Sequence, residues 1–187
     1  MKKIYLIHGW GGDSEGGWFK PLAEKLKKRN FEVIAPNMPE TMNPKIENWV
    51  SYLKNNVNPN ENTYFIGHSI GCQAIMRYLE ALDENIEVGG CIFVAGWFNL
   101  TDETWDEDYT KEIAEPWINK KINFEKIKKH CNNFLAIFSD DDAYVPLSDA
   151  NLFKNNLNAN IIIIKERGHI EEFKEEDFNK ILEFIEK

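Results

Sequence analysis

Cysteine is scarce in this sequence, and long hydrophobic runs are absent. The 187 residues include three cysteines (Cys72, Cys91 and Cys131), an odd number without a CxxC pair, so neither a disulfide framework nor a zinc site is expected. The apolar run at residues 4–7 is far shorter than a signal-peptide core, which needs about 7–15 apolar residues, or a transmembrane helix, which needs about 20. We therefore expect a cytoplasmic protein with reduced thiols.

Positive charge is also scarce, with 22 Lys and Arg against 31 Asp and Glu and a net charge of −9. An acidic surface repels nucleic-acid phosphates and anionic lipids, so neither nucleic acid nor membrane is expected as a partner. Hydrophobic residues make up 43% of the chain, enough for a core, and the length fits a single domain over residues 1–187. A small molecule is the expected partner, and the sequence leaves the oligomeric state open between a monomer and a weak dimer.

Short β-branched segments alternate with amphipathic segments along the whole chain, which is typical of an α/β fold. We expect three layers, with a mainly parallel six-stranded sheet and helices on both faces. The four isoleucines at 161–164 predict a strand buried on both faces. The predicted strands are Ile4–His8, Phe31–Ala35, Thr63–Gly67, Val88–Ala95, Phe134–Phe138 and Ile161–Lys165. The predicted helices are Trp18–Arg29, Pro44–Asn55, Ser69–Leu82, Ser148–Leu157 and Glu175–Glu186.

The segment 97–121 interrupts this alternation. It is rich in acidic residues and aromatic rings and too short for a domain, so we expect a small excursion over the strand ends. Two interpretations of its rings are equally open. They line an apolar pocket for the acyl or alcohol group of a substrate, or they simply pack the excursion onto the core. The rings concerned are those of Trp97, Phe98, Trp105 and Trp117.

The most informative motif is Gly67-His68-Ser69-Ile70-Gly71, between a predicted strand and a predicted helix. A serine on so tight a turn projects Oγ above the sheet edge, and the flanking glycines avoid clashes with neighbouring backbone. The amino end of the helix offers free N–H groups, so the Ile70 N–H can stabilise an oxyanion. Ser69 is thus the predicted nucleophile. The alternatives are a chance match to the motif, and Cys72 as nucleophile, although a packing role suits that thiol better.

A glycine-rich loop, His8-Gly9-Trp10-Gly11-Gly12, follows the first strand. Such a loop can aim a backbone N–H into a site, so Trp10 is the predicted second oxyanion donor, with His8 supporting the loop or lining the pocket. A dinucleotide-binding loop is disfavoured, because Ser14 occupies the third glycine position and no acid follows the second strand. No cofactor or metal is expected. If the first and third strands are neighbours where the strand order reverses, this loop and the Ser69 turn form one site.

Four histidines compete for the role of general base. His68 adjoins Ser69 and should pack within the turn, whereas His130 lies near the end of a charged helical stretch and should be solvated. His169 follows the last strand and comes after the serine in the chain, as in the order Ser, Asp, His. It is therefore the predicted base, with a surface loop histidine as the alternative.

The acidic partner is expected within Asp140-Asp141-Asp142, after the fifth strand. Three adjacent carboxylates repel one another, so at least one should have a buried partner. A carboxylate that accepts a hydrogen bond from histidine Nδ1 would meet this need. A solvated acidic turn is the alternative. A calcium loop is disfavoured because its spaced ligands and terminal glutamate are missing.

Six short segments, spread over most of the chain, carry a family resemblance: Asn37-Met38-Pro39, Gly67-His68-Ser69-x-Gly71, Met76-Arg77-Tyr78, Pro116-Trp117, Asp141-Asp142-x-x-Val145-Pro146 and Gly168-His169. In this order they resemble the small α/β-hydrolases grouped with retinoblastoma-binding protein 9 and its bacterial relatives of the YdeN type. The loop at residues 8–12 departs from the family's more variable first loop and resembles larger esterases.

The resemblance implies a compact fold with little or no lid and serine hydrolase activity on small esters or amides. It places the acid on Asp142, the aspartate directly before x-x-Val-Pro, with Asp141 as the alternative. We expect a carboxylesterase-like reaction through an acyl-enzyme on Ser69, with His169 as base. Some relatives are discussed as binding proteins, so a noncatalytic or weakly catalytic protein-binding module is the alternative function. The substrate is not given, and thioester cleavage, perhydrolysis and C–C bond hydrolysis stay open.

Overall fold

The computed structural model describes residues 1–105 and 108–187, apart from the side chains of Asp108 and Tyr109. Asp106 and Glu107 of the predicted acidic excursion therefore lie outside the described residues. The strands are β1 (Lys3–Ile7), β2 (Glu32–Ile34), β3 (Thr63–His68), β4 (Gly90–Val94), β5 (Phe134–Ser139) and β6 (Asn160–Ile164). The helices are α1 (Phe19–Lys28), α2 (Ile46–Asn56), α3 (Ile70–Glu80), α4 (Asp108–Asn119), α5 (Phe124–His130), α6 (Asp149–Leu157) and α7 (Glu175–Glu186).

The strands form one parallel sheet in the order β2-β1-β3-β4-β5-β6, which confirms the predicted six-stranded α/β architecture. The chain runs outward from β1 to β2 and then crosses to β3 on the other side of β1. The strand order therefore reverses between β1 and β3, where Ile7 pairs with Gly67. In open α/β sheets the crevice beyond such a reversal is the usual ligand site.

Two apolar clusters join the helices to the sheet, one on each face. One cluster includes residues of α2, α3, α5 and α6, and the other includes residues of α1 and α7. Strands β3, β4 and β5 are buried along their whole length. They are rigid supports for the loops at their carboxyl ends. Within the described ranges, no helix is long and apolar enough to cross a membrane.

The prediction that the isoleucine run is buried on both faces is wrong. Within the described residues, strand β6 pairs with β5 alone and forms an edge of the sheet. Ile164 is buried, but Ile161 and Ile162 are half-buried and Ile163 is 52% exposed. A run of apolar residues indicates a strand, but it does not determine whether that strand lies at the centre or at the edge of the sheet.

Two helices lie between β4 and β5: α4, which was not predicted, and α5, which is the charged helical stretch expected to end near His130. Helix α4 contains Pro116, which is unusual in a helix interior. Helix α5 has only seven residues and is capped by Asn123, whose side chain accepts the Lys126 N–H at 3.0 Å. The predicted solvation of His130 is wrong: its ring is fully buried at the end of α5, and its Nδ1 is 2.8 Å from the Ile86 carbonyl.

Arg77 of α3 ties this unpredicted region to the core. The side chain is 4% exposed, and Nη2 donates to Gln73 Oε1 and to the carbonyls of Trp117 and Lys120. Burial lowers the pKa of the guanidinium. The two carbonyls lie at and just beyond the carboxyl end of α4, so one cation satisfies the acceptors that the helix end leaves free.

We expect Arg77→Met to lower the free energy of unfolding by about 2–4 kcal/mol, because the buried carbonyls lose their donor. Urea denaturation measures the effect. The matched control is Arg29→Met, which removes a half-exposed ion pair with Glu186 and should cost less than about 1 kcal/mol. Equal losses in the two variants would contradict the bridging role of Arg77.

Candidate active site

Ser69 occupies the turn that joins β3 to α3. Its backbone has φ 52° and ψ −123°, a strained conformation for a residue with a side chain. The Ser69 N–H donates to the Val94 carbonyl at 2.9 Å, which holds the turn against the end of β4. The turn places Ser69 immediately before the amino end of α3.

The glycines around Ser69 are required by close backbone approaches, as the motif predicts. A Cβ atom at Gly71 would lie 2.3 Å from the Ile7 carbonyl oxygen and 2.6 Å from that of His8. A Cβ atom at Gly67 would lie 2.8 Å from the Cys72 nitrogen. The motif is therefore explained by packing of α3 onto the end of β1.

We expect Gly71→Ala to destabilise the protein by more than about 3 kcal/mol or to prevent folding, because backbone atoms that belong to β1 and its loop would have to move. Gly16→Ala is the matched control, since its Cβ would meet nothing closer than 3.5 Å. Thermal and urea unfolding of both variants measure the difference. A Gly71→Ala protein as stable as the control would contradict this reading of the turn.

His169 and Asp142 form a hydrogen-bonded pair beyond the ends of β5 and β6. Nδ1 of His169 is 2.9 Å from Oδ2 of Asp142, whose side chain is 3% exposed. The other oxygen of Asp142 accepts the N–H groups of Tyr144 and Val145 at 2.9 and 3.0 Å. Since an ionised carboxylate only accepts hydrogen bonds, the proton of this bond belongs to Nδ1, which leaves Nε2 free to accept.

Asp141 binds the loop that carries His169. Its Oδ1 accepts the Ser139 hydroxyl at 2.6 Å and the N–H groups of Gly168 and Arg167 at 2.8 and 3.0 Å. These bonds, the Ser139 hydroxyl first, lower the pKa of the Asp141 carboxyl. Asp140 accepts the Glu166 N–H at 2.9 Å. Each carboxylate of the triplet thus has its own partner, and it is Asp142 that contacts the His169 ring.

His68 connects the Ser69 turn to the same loop. Its Nε2 is 2.9 Å from the His169 carbonyl, and the two imidazole rings are 5.1 Å apart. The His68 ring also packs edge-on against Trp18. Burial, followed by the nearby His169 ring, lowers the pKa of His68 to about 3. His68 is therefore neutral and donates to the loop, in agreement with the packing role predicted for it.

A pH dependence of stability follows from His68. Its folded-state pKa lies below the unfolded value of 6.5, so the unfolded chain binds an extra proton between about pH 6.5 and 3. Stability due to this group is present above pH 6.5 and is lost as the pH falls, at up to about 1.4 kcal/mol per pH unit. Urea unfolding between pH 7 and 4.5 should show a shallower pH slope for His68→Gln than for the wild type. Equal slopes would contradict the assignment.

Ser69 and His169 line the same cavity, whose volume is about 430 Å³. The cavity lies at the crevice between the β1 loop and the Ser69 turn, as the strand order predicts. Its apolar lining is contributed by Trp10, Trp18, Phe19, Met42, Trp97, Leu100 and Tyr144. Across residues 1–105 and 108–187, no three His, Cys, Asp or Glu side chains are grouped so that they could hold a metal ion.

The predicted pocket residues divide into two groups. His8 and Trp97 line the cavity. His8 also supports the loop, because its Nε2 accepts the Met38 N–H at 2.9 Å and its Nδ1 therefore donates to the Gly9 carbonyl at 2.8 Å. Both roles considered for His8 are therefore present.

The other three aromatic residues do not line the cavity, and for Phe98 and Trp117 the packing interpretation describes the structure. The Phe98 ring packs on Phe153, with ring centroids 4.6 Å apart. The Phe98 N–H donates to the buried Asp149 carboxylate, which fixes the backbone at this position. Trp117 is buried and donates to the Pro44 carbonyl at 2.9 Å. Trp105 ends the short 3₁₀ turn Asp102–Trp105 and does not line the cavity.

Sequence reasoning missed several residues of the cavity, among them Met42, Leu100 and Tyr144. They lie on three loops, after β2, β4 and β5. No periodicity marks them, and Met42 and Leu100 belong to no motif, because the three residues share only their position at one edge of the sheet. The Val-Pro motif next to Tyr144 was the one available signal.

Both predicted oxyanion donors line the cavity. Ile70 is the first residue of α3, so its N–H has no acceptor within the helix. In the β1 loop, Gly11 and Gly12 donate their N–H groups to Thr41 and Gly9. Among the hydrogen bonds of the described residues, neither the Trp10 N–H nor the Ile70 N–H has a protein acceptor. These two groups are therefore the candidates for binding an oxygen in the cavity.

Cys72, the alternative nucleophile, is fully buried in the first turn of α3. Its thiol lies 3.5 Å from the Val94 carbonyl, and burial raises its pKa. It does not line the cavity. A protonated and enclosed thiol does not act as a nucleophile, so packing is its role.

Known proteins resemble this chain in both sequence and fold. The sequence profile described as serine hydrolase matches residues 4–181. YdeN of Bacillus subtilis is 29% identical over 169 residues, which cover 90% of this chain and 85% of that protein. The serine hydrolase RBBP9 of Rattus norvegicus is 27% identical over 178 residues, covering 95% of this chain and 85% of that protein.

Solved structures extend the similarity to the whole backbone. The crystal structure of the B. subtilis ydeN gene product has a TM-score of 0.85 at 26% identity and covers 100% of both chains. Est1E from Butyrivibrio proteoclasticus has a TM-score of 0.70 at 18% identity, covering 100% of this chain and 89% of its own. At that identity the second comparison shows a shared fold.

Proposed function

Because the chain belongs to the serine hydrolase family, we propose that it cleaves a small carboxylic ester or amide through an acyl-enzyme on Ser69. The observation that carries the proposal is the meeting of Ser69 and His169 in one cavity, with His169 bonded to the buried Asp142. The proposed nucleophile, base and orienting acid thus come from the ends of β3, β6 and β5, which supports acyl transfer through these three residues.

The first half of the reaction forms the acyl-enzyme. Ser69 Oγ attacks the carbonyl carbon while its proton passes to His169 Nε2, and the carbonyl π electrons move onto the oxygen. When the intermediate collapses, the bond to the leaving group breaks and His169 returns the proton to that group. Asp142 keeps Nδ1 protonated and stabilises the imidazolium.

The second half repeats these steps with water. His169 removes a proton from water, the hydroxide attacks the acyl carbon, and the bond to Ser69 Oγ breaks as that oxygen regains its proton. In both halves the oxyanion is bound by the Trp10 and Ile70 N–H groups, which lie on the β1 loop and at the amino end of α3. These preorganised donors need no rearrangement when charge develops.

The cavity favours a small apolar acyl or alcohol group. The exposed surface of its walls is mainly apolar, and its volume of about 430 Å³ is near the lower end of the usual range for ligand sites. A carboxylesterase-like preference for esters of short apolar groups fits this lining. The three cysteines are free thiols, which supports the expected location in a reducing compartment such as the cytoplasm.

Labelling with a fluorophosphonate tests the proposal directly. An active serine hydrolase should react at Ser69, which peptide mass mapping identifies, and should turn over ester substrates of graded acyl length. Parallel thioester and amide panels determine the preferred bond. Folded protein that resists labelling and hydrolyses none of these substrates would instead indicate a noncatalytic binding module.

A further inference from the structure

The indole of Trp97 points its N–H at the nucleophile. Trp97 Nε1 lies 3.3 Å from Ser69 Oγ, and the Trp97 side chain is buried just beyond the end of β4. The Trp97 carbonyl accepts the Gln73 amide at 3.1 Å, so α3 fixes its backbone. An indole nitrogen can only donate, which means that Oγ is the acceptor of this bond.

This partner is unusual within the protein. Four other tryptophan N–H groups of the described residues donate to main-chain carbonyls, which are structural acceptors: those of Trp10, Trp18, Trp49 and Trp117. Trp97 donates instead to the one hydroxyl that lies on a strained turn and faces the cavity. Its hydrogen bond therefore acts on a reacting atom.

We propose that Trp97 is a catalytic residue whose indole N–H orients and activates Ser69 Oγ, a role that rests on the function proposed above. Since Oγ accepts from Trp97, its own hydrogen is left to be donated, and in the proposed reaction it passes to His169, which lines the same cavity. The hydrogen bond from Trp97 to Ser69 and the one from His169 to Asp142 both run toward the acid, so transfer of the Oγ proton to His169 follows the same direction. This polarity is the one that proton transfer to the base requires.

The donor also stabilises charge during attack. As the bond between Oγ and the acyl carbon forms, the Oγ proton moves to His169 Nε2 and the indole proton stays on Nε1. While the proton leaves and before the new bond is complete, Oγ carries partial negative charge, which the fixed dipole of the buried indole N–H stabilises. Trp97 follows β4, on the opposite side of β3 from the β1 loop, so it serves Oγ, whereas Trp10 and Ile70 serve the carbonyl oxygen.

The kinetic test compares Trp97→Phe with a matched control, Trp117→Phe. Both changes remove a buried indole N–H, but Trp117 donates to the Pro44 carbonyl and does not line the cavity. The maximal rate of fluorophosphonate labelling should fall about 10-fold or more in Trp97→Phe and stay within about 3-fold of wild type in the control. Circular dichroism and thermal unfolding confirm that each variant is folded.

The same measurements separate this inference from the proposed function. If wild-type protein is not labelled at Ser69, the proposed function fails. If wild type is labelled and Trp97→Phe reaches the same maximal rate, the function stands and the role of Trp97 is refuted. A change confined to the concentration of probe that gives half-maximal rate also refutes it, because that result assigns Trp97 to the cavity wall alone.

A second measurement does not depend on activity or on the Trp97 variant. In ¹H–¹⁵N spectra, removal of the acceptor in Ser69→Ala should shift the indole N–H signal of Trp97 and leave that of Trp117 in place. An unchanged Trp97 signal would show that the hydrogen bond to Oγ is absent in solution, and would overturn the proposal.

Discussion

Replacement of Ser69 by alanine should lower kcat by at least ~10³-fold on any ester that the wild-type protein hydrolyses. The variant loses the oxygen that would form the acyl-enzyme, while the cavity and the N–H groups of Trp10 and Ile70 are unchanged. Alanine carries the same backbone cost as serine at the positive φ of this turn. Folding should therefore survive, and kcat together with the midpoint of thermal unfolding gives the result.

A matched serine variant controls for this experiment. Ser51→Ala alters an exposed residue of α2, remote from the cavity, and should leave kcat unchanged. Labelling by fluorophosphonate should disappear from Ser69→Ala and persist in the control. Hydrolysis retained by purified Ser69→Ala at the wild-type rate would remove Ser69 from the mechanism.

Asp142→Asn should reduce kcat by roughly 10³–10⁴-fold. An asparagine amide can present its NH₂ group to His169 Nδ1, which favours the tautomer with the proton on Nε2 and leaves no base facing Ser69. It also removes the charge that stabilises the imidazolium. Oδ1 remains to accept the Tyr144 and Val145 N–H groups, so the loop keeps its shape. Steady-state kinetics measures the loss in kcat, and the rate of fluorophosphonate labelling gives an independent measure.

The neighbouring carboxylate provides the control for the acid. The Asp141→Asn variant keeps an oxygen that can accept the Gly168 and Arg167 N–H groups. Its kcat should fall by no more than about 10-fold, because residue 141 contacts the loop and not the imidazole. The two variants thus differ by at least about two orders of magnitude. If Asp141→Asn proved the more damaging change, the acid would have been assigned to the wrong carboxylate.

Much of the candidate site could be predicted because its elements depend on local requirements. The glycines of the Ser69 turn are imposed by backbone atoms that approach within 3 Å of where their side chains would be. The strand before this turn and the helix after it follow from hydrophobic periodicity. His169 could be singled out by elimination and by its place in the chain, and Asp142 by family resemblance.

The errors concern properties that one segment does not contain. His130 is part of a charged helical stretch, yet its ring is buried, and its Nδ1 lies against the Ile86 carbonyl in the loop before β4. The isoleucines of β6 resemble a central strand, yet no strand pairs with their outer edge in the described parts of the chain. An aromatic side chain suits a pocket wall and a packed core equally well, so composition could not decide which of these Phe98 and Trp117 belong to.

The sequence by itself determined the α/β architecture, the strained serine turn and the loop that carries the base, because periodicity and backbone sterics act over a few residues. Only the tertiary structure decided which rings surround the cavity and which carboxylate contacts His169. It alone aimed the Trp97 N–H at Ser69, across 28 positions of the chain. Such contacts arise where parallel strands end at one edge of a sheet, and their distances depend on the order in which those strands pair.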